Sequence, residues 1–135
     1  MAETTVRWIG GEAFVGTDST NHSVVLSTTK EGVGMKPSEL MIVALGACTS
    51  VDVVGILAKK RTPLTSLEIK ASFVQDEDPP WAFRKIHLHY ILKGHGLREK
   101  DVEKAIELSE EKYCSVSATL RGVAEITWDY EILED

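Results

Sequence analysis

The 135-residue chain suits a single domain, residues 1–135, and is long enough to bury a core without disulfide or metal staples. Apolar residues make up 43% and charged residues 27%, an ordinary globular balance. Fifteen basic residues against twenty-one acidic ones leave a formal charge of −6, which argues against nucleic acid or anionic lipid as partners, since both call for Lys and Arg against phosphate.

The opening MAETTVRWIGGEAF has no basic segment followed by an apolar run. It does not read as a secretory signal, and a reducing cytoplasm is the expected compartment. Thr4 to Ile9, Ala13 to Gly16 and His22 to Ser27 read as short strands, separated by Gly10-Gly11 and by the polar Asp18 to Asn21 run. This predicts a small antiparallel meander. Gly32-Val33-Gly34 forms a flexible approach to Pro37, which suits a first helical turn because its missing N–H would be unpaired there anyway. From Ser38 to roughly Lys60 the pattern is helical and apolar on nearly all sides, with small Ala44, Gly46 and Ala47 beside Cys48. A helix of that kind is normally wrapped by other elements, so a buried central helix is expected. Asp52 and the closing Lys59-Lys60-Arg61 argue against a bilayer span.

Leu67, Ile69, Ala71 and Phe73 alternate with polar residues, as do Ile86, Leu88, Tyr90 and Leu92. With a turn over Asp76 to Pro80 between them, they predict a long hairpin that Gly94-His95-Gly96 ends. Arg98 to Tyr113 carries Val102, Ala105, Ile106, Ser109 and Tyr113 at helical spacing, the inner stripe of an amphipathic helix. Ala124, Ile126, Trp128 and Tyr130 alternate in a final strand. Strands grouped before and after helices, without strict alternation, indicate an α+β fold.

The two cysteines are the candidate chemical centre. Cys48 lies about three turns inside the central helix, where the helix dipole no longer acts, and burial alone would make it inert. A reactive Cys48 therefore needs a cation or a proton acceptor from elsewhere in the fold; without one it is a small core residue. Cys114 precedes Ser115 to Leu120, which can open a second short helix whose N–H groups favour a thiolate. Otherwise it is a turn residue. The separation of the pair excludes CxxC redox or zinc spacing. His87 and His89 point the same way on one strand, a chelating spacing that no nearby cysteine or carboxylate obviously completes, although Asp76, Glu77 and Asp78 lie in the adjoining turn; a solvated sheet face is the simpler reading. Asp52, one turn after Cys48, suits a hydrogen-bonding or helix-packing role.

The run Gly32-Val33-Gly34-Met35-Lys36-Pro37-Ser38-Glu39-Leu40, followed by Ala44-Leu45-Gly46-Ala47-Cys48-Thr49, resembles the signature of the OsmC/Ohr superfamily. Ala105 to Ser109 and Tyr113-Cys114-Ser115-Val116 resemble its second-cysteine segment. The resemblance implies an OsmC-like fold: N-terminal β-meander, central buried helix, β-hairpin, second helix and final strand, in an intertwined homodimer with sites at the subunit interface. It further implies thiol-dependent reduction of a small organic hydroperoxide. Cys48 would become a sulfenic acid, Cys114 would resolve it to a disulfide, and a dithiol reductant would reopen that bond, with no metal or organic cofactor.

The chain departs from the family's peroxidase branches at two places. Ser38 stands where they carry a glutamate, leaving Glu39, about 100° further round the helix, as the candidate carboxylate. Glu12, Thr28 and Lys30 occupy the region of their activating arginine, with Arg7 and Arg121 as possible substitutes. These departures motivate the alternative of a non-enzymatic OsmC-like protein that binds a ligand or senses oxidants in the same pocket.

Overall fold

The N-terminal strands form in the order their spacing predicts. In a computed structural model describing residues 1–134, β1 (Thr5–Trp8), β2 (Ala13–Thr17) and β3 (Ser23–Ser27) pair as an antiparallel sheet ordered β1-β2-β3. They belong to the first of two compact units, Met1–Ile42; the second begins at Val43. Within the first unit the two glycines of the Gly-x-Gly segment serve different ends. Gly32 has φ +67°, the left-handed region that glycine enters without penalty. Gly34 runs so close to β3 that a Cβ would stand 2.6 Å from the Val25 carbonyl oxygen. Buried Ser27 stitches this segment down, its hydroxyl accepting from the Val33 and Gly34 N–H groups at 3.2 and 3.0 Å.

The helix α1 (Pro37–Lys59) starts at the predicted proline. Its length and mean hydropathy of 2.2 would allow a bilayer crossing, yet Leu45, Thr49, Val53 and Leu57 are fully buried along one side. Burial is one-sided, however, where the all-round apolar pattern predicted a wrapped helix. Val43, Ala47, Val51, Val54, Gly55 and Ala58 form a continuous exposed stripe of small apolar residues, with Val51 at 74% exposure.

In the second unit β4 (Leu64–Gln75) and β5 (Phe83–Gly94) form the predicted hairpin, longer at both ends than the alternating core suggested. The last strand, β6 (Glu125–Leu133), pairs with β5 in parallel, giving the order β4-β5-β6. Parallel neighbours need a long crossover. Here that crossover holds α2 (Glu99–Leu108), a π-helical turn (Ser109–Tyr113) and α3 (Ser115–Leu120). Ile86, Leu88, Tyr90 and Leu92 of the middle strand point inward and are fully buried, as are Val102, Ala105 and Ile106 of α2. The sheet therefore has one apolar face, against which the crossover must lie, and one polar face.

The helix predicted over 98–113 is not uniform. Its α-helical part ends at Leu108, and the Cys114 N–H donates to the Ser109 carbonyl at 2.8 Å, an i→i+5 bond. The wider turn holds an extra residue and rotates the positions after it. Ser109 and its neighbour Glu110 are both buried, while Tyr113, expected on the inner stripe, is turned out at 53% exposure.

Candidate active site

Cys48 projects from the middle of α1, and Cys114 sits where the crossover passes from the π turn into α3. Both thiols are free, and they lie near enough that each shifts the ionisation of the other. Cys114 is the N-cap of α3, with extended backbone and its Sγ accepting from the Ser117 N–H at 3.3 Å. It is buried at 2% exposure, whereas Cys48 is half-exposed.

The two sulfurs feel this arrangement in opposite ways. Burial raises the Cys48 pKa, but hydrogen bonds from the Cys114 thiol, the Val116 and Ser115 N–H groups and the Ser115 hydroxyl outweigh it and hold Cys48 below its ordinary value. Burial pushes Cys114 up to about 11, with its hydrogen bond to Cys48 adding to the rise against the Ser117 N–H. The start of α3 was expected to activate Cys114. Its first N–H groups do favour a Cys114 thiolate, but burial outweighs them there, and the same turn also lowers Cys48, the thiol that lacks a helix terminus of its own. The influences that lower Cys48 are thus dipolar donors acting together against burial, where the sequence called for a cation or proton acceptor.

Behind the sulfurs lies a buried polar chain that the sequence did not reveal. Tyr90 donates to Glu110 Oε1 at 3.2 Å and lies 2.8 Å from the Thr49 hydroxyl. The Ser109 hydroxyl is 2.9 Å from Thr49 and 2.7 Å from Asp52 Oδ2. Ser117 donates its hydroxyl proton to Glu110 Oε2 at 2.8 Å. One proton per hydroxyl fixes most directions: Tyr90 gives to Glu110, and Thr49 gives to Tyr90. Among the described residues every buried side-chain nitrogen or oxygen has a partner. Burial, with the Glu110 charge also opposing ionisation, drives the Tyr90 hydroxyl far above its ordinary pKa and keeps it a donor. Asp52, expected to hydrogen-bond or pack on the helix, ends this chain.

The remaining candidates lie elsewhere. Glu39 stands on the first turn of α1 and pairs with Lys36 at 3.2 Å, half-exposed. His87 and His89 share the polar sheet face, but their carboxylates come from β6. His87 Nε2 and His89 Nδ1 both reach Asp129 Oδ1, at 2.9 and 2.7 Å, and His89 Nε2 reaches Glu131 at 2.7 Å. Asp76 of the turn is held by Arg84. Among the described residues no group of three or more His, Cys, Asp or Glu is arranged to hold a metal.

Comparisons with known proteins agree with this architecture. The family model described as OsmC-like protein matches residues 29–129. The Escherichia coli K12 protein YhfA is 34% identical over 128 residues, spanning 95% of this chain and 96% of that one. A hypothetical protein from Aquifex aeolicus superposes with a TM-score of 0.83 at 29% identity, covering 98% of each chain. The organic hydroperoxide resistance protein OhrB of Bacillus subtilis gives a TM-score of 0.64 at 18% identity, over 97% of this chain and 98% of that one, a likeness of fold. The chain belongs to the OsmC-like protein family.

Proposed function

We propose that this protein is a thiol-dependent peroxidase that reduces organic hydroperoxides. The reading is carried by the unequal placement of the two thiols: Cys48 is half-exposed on α1, and Cys114 is buried at 2% exposure as the cap of α3, so that the pKa of the first is lowered and that of the second raised. That is the asymmetry a two-cysteine cycle needs, since the nucleophile must be ionised and reachable while its partner waits as a thiol. The Cys48 thiolate attacks the terminal oxygen of ROOH. An S–O bond forms, the O–O bond breaks, and the alkoxide leaves to become ROH. Cys114 then attacks the sulfenic sulfur, giving the disulfide and expelling the hydroxyl as water with the Cys114 proton. A dithiol reduces the disulfide by two exchanges and departs as its own disulfide. Glu39 is the proposed auxiliary carboxylate; its exposed pairing with Lys36 is worth little and can open.

The working unit proposed is a homodimer in the cytoplasm. The exposed apolar stripe Val43, Ala47, Val51, Val54, Gly55 and Ala58 supports it, because contiguous apolar surface costs free energy in water and its small residues allow a second copy of α1 to approach. Val51→Glu should convert a dimer to a monomer in sedimentation; an unchanged dimer would remove the stripe from the interface.

The test of the activity is turnover of cumene hydroperoxide by the pure protein with dithiothreitol. Cys48→Ser should abolish it. Cys114→Ser should allow one turnover and then accumulate Cys48 sulfinic acid, read by mass. Absence of turnover in the unmodified protein, with both thiols unreacted, overturns the proposal. The expected result for Glu39→Gln is slower turnover with unchanged thiol alkylation.

A further inference from the structure

The feature that the proposed cycle leaves unused is Glu110. A carboxyl side chain at 7% exposure in the core of a small protein is unusual, and among the described residues this one has no Lys or Arg paired with it. Its two oxygens take hydroxyl protons from two directions: Tyr90 on the middle strand at 3.2 Å and Ser117 in α3 at 2.8 Å. Ser117 is the residue whose N–H donates to Cys114 Sγ, the cap of α3. Glu110 is therefore two links from the Cys114 sulfur and bonded directly to the helix that Cys114 caps.

Glu110 faces inward because of the π turn. In a regular helix continuing from Val102, Ala105 and Ile106, Ser109 would face the core and Glu110 would lie about 100° away. The i→i+5 bond from the Cys114 N–H to the Ser109 carbonyl widens the turn, and both residues are buried in succession. The same bond ties the backbone of Cys114 to Ser109, whose hydroxyl joins Thr49 and Asp52 of α1. The π turn thus anchors Cys114 on its N-terminal side through Ser109 and on its C-terminal side through Glu110 and Ser117. Single-turn π segments often mark such constrained places in functional helices.

We propose that Glu110 is a positioning residue: presented inward by the π turn, it bridges Tyr90 of the sheet to Ser117 of α3 and so fixes the start of α3 against the Cys48–Cys114 pair. It touches neither sulfur, so its action is on geometry. Loss of the bridge frees the first turn of α3, and with it the Ser115 and Val116 N–H groups that serve Cys48 and the Ser117 N–H that serves Cys114. The role deepens the peroxidase reading, but it can be read without peroxide.

The experiment uses the full-length protein and diamide, which takes two hydrogens from the two thiols to become a hydrazine as the Cys48–Cys114 disulfide forms. Closure is followed as loss of free thiol, and Cys48 alkylation by iodoacetamide is followed against pH. Glu110→Ala should slow closure about 10- to 100-fold, the scale of a misplacement near one ångström, and should move the alkylation midpoint of Cys48 upward. Glu110→Gln, which keeps one oxygen acceptor and offers an N–H to the second hydroxyl, should restore both readings to near the unmodified values. Ser117→Ala breaks the bridge at the α3 end and should reproduce Glu110→Ala; it decides the matter if Glu110→Ala does not fold. Tyr90→Phe cuts the sheet end alone and should have the smaller effect. A folded Glu110→Ala or Ser117→Ala protein with unmodified closure and alkylation profiles would overturn the proposal, as would a Gln variant as impaired as Ala. Failure of hydroperoxide turnover with these differences intact would instead count against the peroxidase and leave the positioning role standing.

Discussion

The two faces of the β4-β5-β6 sheet carry the same kinds of contact under opposite conditions. On the outer face His87 and His89 alternate with Asp129 and Glu131 of β6 in a ladder of short hydrogen bonds at the surface. On the inner side Tyr90, next along β5 from His89, enters the closed chain of Thr49, Ser109, Glu110 and Ser117. The register of β5 decides which is which, since successive side chains point to opposite faces. In water the ladder competes with solvent and is screened, so its short distances convert into little stability. The inner chain has no water to fall back on, and removing any member leaves another unpaired in a low dielectric. Distance alone does not rank these contacts; burial does.

That ranking can be broken by substitution. Glu110→Ala leaves the Tyr90 and Ser117 hydroxyls without their acceptor and should have the largest effect, a loss of about 3 kcal/mol of unfolding free energy in urea denaturation. Tyr90→Phe removes one hydroxyl and a hydrogen bond at each of its ends, and the expected loss is about 1–2 kcal/mol. The smallest effect belongs to His89→Gln. Its partners Asp129 and Glu131 raise the His89 pKa in the folded protein. The ladder therefore stabilises the fold fully below the unfolded histidine pKa, about 6.5, and that contribution disappears as pH rises through the raised folded value. The melting temperatures of the His89→Gln and unmodified proteins should differ slightly at acidic pH and coincide at alkaline pH. A ladder substitution that destabilised as much as Glu110→Ala would reverse the comparison.

Much of this was legible in the sequence because it is periodic. Alternation placed β4, β5 and β6, and Pro37 with the apolar run placed α1. The Ser115 to Leu120 segment announced a helix start beside Cys114. What the sequence hid depends on one bond or on distance in space. Glu110 and Glu111 sit side by side in a charged run that reads as a solvated surface, and only the i→i+5 bond at Ser109 separates the buried one from its neighbour. The same bond misled the inner stripe at Tyr113. Which thiol the α3 start would favour was hidden too, because Cys48 comes to those N–H groups from a helix far off in sequence. The exposed side of α1 escaped for a different reason: all-round apolarity records what a helix avoids, and it does not say whether its own chain or a second copy does the covering.

The proposed chemistry needs the two thiols to be unequal, and the most direct test is the pH dependence of their initial alkylation rates in the reduced, unmodified protein. Iodoacetamide labelling followed by peptide mass should give Cys48 a midpoint below the ordinary thiol value of 9.0 and Cys114 one near 11. Equal midpoints, or Cys114 reacting at the lower pH, would contradict it.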